Sequence, residues 1–395
     1  MLRPGSLALT LLLAMLAGLG PLSVDMYLAS LPSIGRLLDA PTSQVQLTIS
    51  AYLVGFACAQ VFYGPLSDRH GRRPVLMAAL GIYLLATVAC ALSFSIEMLI
   101  GARFVQALGG SGASVLARTI VRDMYEGTRV GRELARMAAI MALAPLVAPL
   151  VGGVLQTAFG WRSNFALLFL FDAAALTMVW FLLPETLRQR APERVSVGST
   201  LRTYRRFLAD TGFVIHLGIA TCCLCGLFAW ISSAAFVLQD IYGLSALAFG
   251  VAFAVGSSGY MVGTSIAARF VMRWGGGRTM GLGAAAMALS GLVMALLLAF
   301  TSFGAWGVIA AIGLYTIGMG LTLAQAQAGA LLPYPDRAGA ASSLLGFVTQ
   351  TTSAIVGAIL GHTLGLTAWP LAIAMLLAGG LSLLLWKISA GRTAG

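Results

Sequence analysis

The stretch Gly64-Pro65-Leu66-Ser67-Asp68-Arg69-His70-Gly71-Arg72-Arg73 decides the reading of this chain. It is a short, basic, glycine-bearing loop between two apolar runs, 44–66 and 74–95. Each run has the roughly 20 residues needed to cross about 30 Å of hydrocarbon. A hydrocarbon core supplies no water, so each run must close its own backbone hydrogen bonds and is therefore a helix. Working outward, the same pattern recurs at 7–30, 97–120, 135–158, 164–184, 212–238, 246–270, 278–301, 304–330, 339–362 and 369–389. Twelve transmembrane helices are expected. The first apolar run continues without a small-residue cleavage site into Asp25 and Tyr27, so it reads as a helix and not as a signal peptide.

Composition agrees. Of 395 residues, 59% are hydrophobic and 9% charged, against roughly 25% charged in a soluble domain. The net charge of +11 would suggest nucleic acid on a soluble protein, but here it is sorted by side. Arg69, Arg72, Arg73, Arg122, Arg129, Arg132, Arg136, Arg188, Arg190, Arg194, Arg202, Arg205, Arg206, Arg269, Arg273, Arg278 and Arg337 all follow even-numbered spans, with Arg3, Lys387 and Arg392 at the ends. The opposite loops hold only Arg36 and Arg162. The positive-inside rule then places both termini in the cytoplasm. The expected location is a bacterial inner membrane, crossed many times, with the lipid bilayer as partner and no nucleic acid.

The five cysteines, Cys58, Cys90, Cys222, Cys223 and Cys225, all fall inside spans, so no disulfide framework is implied. Cys222 and Cys225 form a CxxC without a second ligand pair, and no metal is expected. Phosphate-loop, HExxH and GxSxG motifs are absent, which argues against ATP-driven transport and against an enzyme. Glycine, at 47 residues, suits close helix approach in a membrane. The polar interruption near 185–211 divides the chain into a first six-helix bundle (1–187), a basic cytoplasmic linker (188–211) and a second six-helix bundle (212–395). The loop after span 8, Arg269 to Arg278, repeats the short basic form of 64–73.

On these residues the chain resembles the major facilitator superfamily. GxLxDRxGRR at 64–73 is similar to that family's loop 2–3 motif, Arg103-Phe104-Val105-Gln106-Ala107-Leu108-Gly109 to its helix 4 motif, and Ala148-Pro149-Leu150-Val151-Gly152-Gly153 to the helix 5 motif of its antiporters. Asp25-Met26-Tyr27-Leu28, Val121-Arg122-Asp123-Met124-Tyr125, Pro184-Glu185-Thr186-Leu187 and Ala368-Trp369-Pro370 resemble the bicyclomycin/chloramphenicol-resistance (Bcr/CflA) branch of drug:proton antiporters. The chain departs from the pattern at Ala29 and Ala148, where the family has proline and glycine. The resemblance implies an all-α membrane fold of two pseudo-repeated six-helix bundles around a central cavity. It also implies a monomer that exchanges protons for small amphipathic drugs such as phenicols or bicyclomycin, driven by the proton gradient without a cofactor. The alternative on the same fold is export of a metabolite such as an amino acid, polyamine or siderophore.

Ionisable groups inside spans each cost at least about 2.5–3.5 kcal/mol at mid-bilayer, so each is a functional candidate. At 1.5 Å per residue, Asp25 and Arg103 fall at similar depth in the outer half, within reach of each other if spans 1 and 4 line one cavity. The resemblance assigns this acid and this arginine to proton coupling and substrate binding; the competing reading is a structural ion pair. Asp172 matches no motif and reads equally as a second protonation site or a neutral, hydrogen-bonded acid. Tyr27 is a cavity candidate, with Tyr52, Gln60, Phe228, Trp230, Gln325 and Gln327 as weaker ones. Arg118 reads as snorkelling, and Trp161, Trp369 and Trp386 as interfacial anchors. In the loop, Gly64 is expected to allow close packing, Gly71 a tight turn, Asp68 to face a helix N-terminus, and Arg72 or Arg73 to pair with Asp123. By resemblance, Gly64, Asp68, Arg69, Gly71, Arg72, Arg73 and Asp123 form a conformational latch. Pro145, Pro149, Gly152 and Gly153 imply a kink that closes a leak path in antiporters.

Overall fold

The computed structural model describes residues 6–125, 128–141, 143–187, 197–300, 304–334, 337–363 and 367–393, and among them there are helices and no strand. The chain forms two compact units, Met1–Val195 and Ser196–Gly395. Part of the basic segment, including Arg188, Arg190 and Arg194, lies outside the described residues, as does Arg3.

The first unit contains α1 (Leu7–Asp25), α2 (Leu31–Leu37), α3 (Thr42–His70), α4 (Arg72–Ala91), α5 (Ile96–Met124), α6 (Thr128–Met141), α7 (Ala144–Phe159) and α8 (Arg162–Leu182). Polar residues set the starts: the Ser6 and Ser95 hydroxyls accept from the Leu9 and Met98 amides, satisfying donors a helix cannot bond itself. α5 packs on both α3 and α4, and glycine makes both approaches possible. A Cβ on Gly55 would stand 2.6 Å from the Phe104 carbonyl oxygen, and one on Gly109 would stand 2.5 Å from that of Ala79 and 2.6 Å from the Tyr83 nitrogen.

Two of the expected spans are not continuous helices. The first breaks after Asp25: Leu28–Ser30 is a single 3-10 turn and α2 restarts with Pro32 in its first turn. The expected fifth span, 135–158, is divided between α6 and α7, which restarts at Ala144 with Pro145 in its first turn. Proline has no N–H to give to the preceding turn, so both restarts put it where that donor is not missed.

The second unit contains α9 (Val197–Ala209), α10 (Thr211–Ala235), α11 (Ala246–Trp274), α12 (Gly276–Phe300), α13 (Gly304–Leu331), α14 (Ala338–Thr363) and α15 (Trp369–Thr393). α10 continues into a wider π turn, Phe236–Ile241. α9 carves a helix out of the segment expected as a linker. Phe207 on α9 is buried, stacks on Phe213 at 5.3 Å and meets Tyr334 edge-on at 4.8 Å. Asp210 caps α10, its Oδ1 accepting from the Gly212 amide at 2.7 Å, and its other oxygen accepts the Tyr334 hydroxyl. That hydroxyl, with the Gly212 and Phe213 amides behind it, holds the Asp210 carboxyl below the usual carboxylate range. The Tyr334 phenol is correspondingly pushed up to about 12. The anchoring from Asp210 is therefore complete above the ordinary aspartate value near 4 and fades as pH falls through its lowered folded value.

Ten of these helical runs are long and apolar enough to cross a membrane. α5 is as long but carries Glu97, Arg103, Arg118, Arg122 and Asp123, and α7 is a shorter apolar helix. The chain is a multi-pass membrane protein. The glycine contacts give a paired prediction. Gly109→Ala overpacks the α4–α5 contact and should cost about 1–3 kcal/mol, lowering the melting temperature in detergent. Gly101→Ala, with nothing within 4 Å of its new Cβ, should leave it unchanged or raise it.

Candidate functional site

The site is built at the break in the first span. Asp25 is the last residue of α1 and is 5% exposed. It has no hydrogen bond or ion pair among the described residues. The freed backbone and the polar residues beyond it are covered by neighbours. Gly152 of α7 sits against the Met26 carbonyl, where any side chain would collide. Asn164 of α8 donates to the Ser30 hydroxyl at 2.9 Å, and Gln156 of α7 to Ser33 at 3.0 Å. The Tyr27 hydroxyl meets that of Thr48 on α3 at 2.9 Å.

Arg103 on α5 is fully buried. Its guanidinium lies 4.7 Å from the Tyr27 ring centre, 4.3 Å from that of Tyr52 and 5.9 Å from that of Phe165. Such faces attract a cation through the ring quadrupole, by about 2 kcal/mol or more when desolvated. One nitrogen donates to Gln106 Oε1 at 2.7 Å; Gln106 donates on to Thr87 at 2.8 Å, and Thr87 to the Tyr83 carbonyl at 2.7 Å. The Tyr83 hydroxyl meets Ser23, two residues before Asp25. Arg103 Nε and its other terminal nitrogen are buried without a partner. The structural ion pair with Asp25 is thus not formed: aromatic faces and an amide surround the cation. Tyr27 joins the two groups, two residues from the acid and directly against the guanidinium.

Asp172 is fully buried on the α8 face that carries Leu168, Ala175 and Val179, and neither of its oxygens has a hydrogen-bond partner. α8 packs on α4 and α1, and Asp172 lies within electrostatic reach of Tyr83. Of the two readings of Asp172, the hydrogen-bonded acid is the one the structure does not show.

The 64–73 loop forms a second polar knot, entirely within the first unit. Gly71 has φ 102°, a value that a side chain disfavours. Arg72 is buried, with its Nε 2.9 Å from Asp123 Oδ2 and a terminal nitrogen 2.5 Å from Asp68 Oδ1. The same nitrogen donates to Ser67 at 2.6 Å. Two expectations need correction. The carboxylate at the α4 N-terminus is Glu185, accepting from the Arg72 and Arg73 amides at 2.9 and 3.2 Å, and not Asp68. Asp68, in the last turn of α3, reaches the Arg72 side chain across the Gly71 turn, while Glu185 arrives from beyond the end of α8. Gly64 makes no close approach, since a Cβ there would meet open space. Arg73 donates to the Trp180 carbonyl, and Arg69 is exposed.

Pro149 and Gly153 are buried in α7 beside Gly152, and Pro145 starts that helix. Among the weaker candidates, Tyr52 and Trp230 are buried, with Trp230 stacked on Phe253 at 5.7 Å. Gln60, Phe228, Gln325 and Gln327 are half-buried and Arg118 is exposed. Trp161 is packed inside against Phe165 instead of anchoring at an interface. The cysteines are free, and among the described residues no group of His, Cys, Asp or Glu is arranged to hold a metal. Sequence reading missed Gln106, Tyr83, Ser23, Asn164 and Glu185. Gln106 had a signal, standing three residues from Arg103 on one helix face; the others depend on neighbours distant in sequence.

Residues 13–358 match the profile of the Major Facilitator Superfamily. The chain is 34% identical over 363 residues to the uncharacterized MFS-type transporter YdgK of Bacillus subtilis, covering 90% of this chain and 89% of that one. It is 28% identical to multidrug resistance protein D of Escherichia coli (98% and 96% covered) and 29% identical to a bicyclomycin resistance protein homolog of Haemophilus influenzae (92% and 92%). The E. coli xylose transporter XylE, in a partially occluded inward-open conformation, superposes with a TM-score of 0.75 at 15% identity, over 96% of this chain and 97% of that one.

The polar knot yields a prediction. Glu185→Ala removes the acceptor for two helix-end amides and should cost about 1 kcal/mol, given that Glu185 is exposed. The measurement is limited trypsin digestion of the purified protein. Cleavage within 69–73 should quicken, with Glu185→Asp between the variant and wild type.

Proposed function

Because the chain belongs to the Major Facilitator Superfamily, a family of membrane transporters, we propose that it exports small amphipathic drugs in exchange for protons across a bacterial inner membrane, with both termini cytoplasmic. The observation that carries this reading is the pairing, through Tyr27 at a helix break, of an unpartnered buried acid with a buried guanidinium that has no counter-ion and two unbonded nitrogens. A buried charge is costly unless compensated. Asp25 therefore changes its charge at a point where the backbone is already interrupted and can rearrange. Any movement of Met26–Ser30 carries Tyr27 with it, and Tyr27 forms one wall around Arg103.

The free N–H groups of Arg103 suit a substrate with a polar oxygen, and the Tyr27, Tyr52 and Phe165 rings suit a flat apolar body. Phenicols carry both features and bicyclomycin the polar oxygens, and relatives named for multidrug and bicyclomycin resistance support the choice. Proton entry at Asp25 alternates with substrate occupancy near Arg103, so one gradient drives the other. Asp172, buried and without a partner, is proposed as a second protonation site. The Arg72 knot, by holding α3, α4, α5 and the end of α8 together, is proposed to move as one piece during alternating access.

The test is a susceptibility panel with expressed wild type, followed by substrate-induced proton release from purified protein. Wild type should raise resistance to at least one phenicol or to bicyclomycin several-fold. Asp25→Asn should reduce resistance to the vector level and abolish proton release while still binding substrate. Arg103→Lys should lose most of the resistance, because a compact ammonium cannot reproduce a stacked, multiply donating plane. Asp172→Asn should release fewer protons per substrate. A preserved drug gradient in Asp25→Asn would remove Asp25 from the coupling step. A silent panel with a metabolite accumulating outside expressing cells would favour metabolite export on the same fold.

A further inference from the structure

We propose that α9 is a binding surface for anionic phospholipid headgroups, held at the membrane surface by the second unit. The proposal rests on the membrane reading above, but not on the identity of the substrate.

Three observations converge. First, α9 is two-faced. Arg202, Arg205 and Arg206 stand at i, i+3 and i+4 and therefore share one side; all three are exposed. Tyr204 and Phe207 fall on the other side, with Phe207 locked between Phe213 and Tyr334. Second, the cations are uncompensated. Val197–Ala209 contains no acid, and among the described residues none of the three guanidiniums has a hydrogen bond or an ion pair. The nearest carboxylate in sequence, Asp210, is committed to Tyr334 and Gly212. Third, the depth is fixed by the chain. Thr211 begins an apolar run that reaches Ile241, so α9 ends two residues from a membrane span. Asp210 is extended (φ −85°, ψ 112°), which breaks the helix there and turns α9 off the α10 axis. α9 instead packs on α10 and α14, and Leu208 is left 52% exposed beside the arginines.

A helix with a basic face and an exposed leucine at the hydrocarbon boundary fits the headgroup layer. Phosphodiester anions there supply the acceptors the guanidiniums lack, bidentate where two oxygens are in reach. Each arginine near an anionic surface contributes enough that three together should change affinity by roughly tenfold or more. The commitment is to a bilayer lipid: a free phosphate ion would satisfy the arginines but leave Leu208 in water.

The experiment uses the purified full-length protein in mixed micelles with equal amounts of phosphatidylglycerol and phosphatidylcholine, counting retained lipids by native mass spectrometry. Wild type should retain phosphatidylglycerol preferentially. Substituting Arg202→Gln, Arg205→Gln and Arg206→Gln together should lower its apparent affinity about tenfold and leave phosphatidylcholine retention unchanged. The corresponding Arg→Lys triple variant should keep most of the binding, which separates lost charge from a misplaced helix. Three results would overturn the proposal: unchanged retention in the Gln variant; an equal loss in a control carrying Arg269→Gln, Arg273→Gln and Arg278→Gln, which would assign the effect to net charge; or full displacement of the lipid by millimolar inorganic phosphate, which would assign the site to a small anion. Because the readout is lipid retention, failure of the drug-export reading would leave this result standing.

Discussion

The first span leaves regular α-helix at Asp25, tightens into a 3-10 turn and restarts at Leu31, and the polar side chains beyond that break need partners inside hydrocarbon. That constraint organises the first unit. Gly152 lets α7 close on the Met26 carbonyl, and Asn164 and Gln156 donate to the Ser30 and Ser33 hydroxyls. With Thr48 of α3 and Arg103 of α5 against Tyr27, four helices converge on one interrupted turn. Their convergence also places Tyr27 over the guanidinium of Arg103.

The surroundings of Arg103 follow from the same arrangement. A buried cation without a counter-ion is expensive, yet here three aromatic faces and one amide replace the carboxylate. Rings compensate partly and leave donors free, whereas a carboxylate would saturate the fork and neutralise it. The chain of contacts through Gln106, Thr87, Tyr83 and Ser23 ties the guanidinium back to the helix that carries the acid. The acid and the guanidinium are thus joined by a contiguous route of packed groups inside one unit.

The Arg72 knot is of another kind. There, a buried guanidinium is held by two carboxylates, Asp68 and Asp123, and by Ser67, and Glu185 closes the helix end beside it. Among the described residues one arginine has two counter-ions and the other has none. Charge-assisted bonds of this sort hold the ends of four helices as a block, while the Arg103 site leaves two nitrogens without a bond.

How much of this was legible follows from the range of the forces involved. Span positions, the basic face and the resemblance were readable, because hydrophobic length and charge asymmetry are properties of contiguous residues. Gly71 was readable for the same reason, since a tight turn is local. The sequence could nominate Asp25, Arg103 and Asp172 because a charge in an apolar run is visible without neighbours. It could not say that the acid and the arginine stay apart, that Glu185 and not Asp68 caps α4, or that Gly64 touches nothing. Nor could it show that α9 hangs on Phe213 and Tyr334. Those outcomes depend on which side chain arrives first from a helix tens of residues away. The one-dimensional pattern determined what must be buried in lipid; three-dimensional packing decided which buried group is satisfied and which is left free to act.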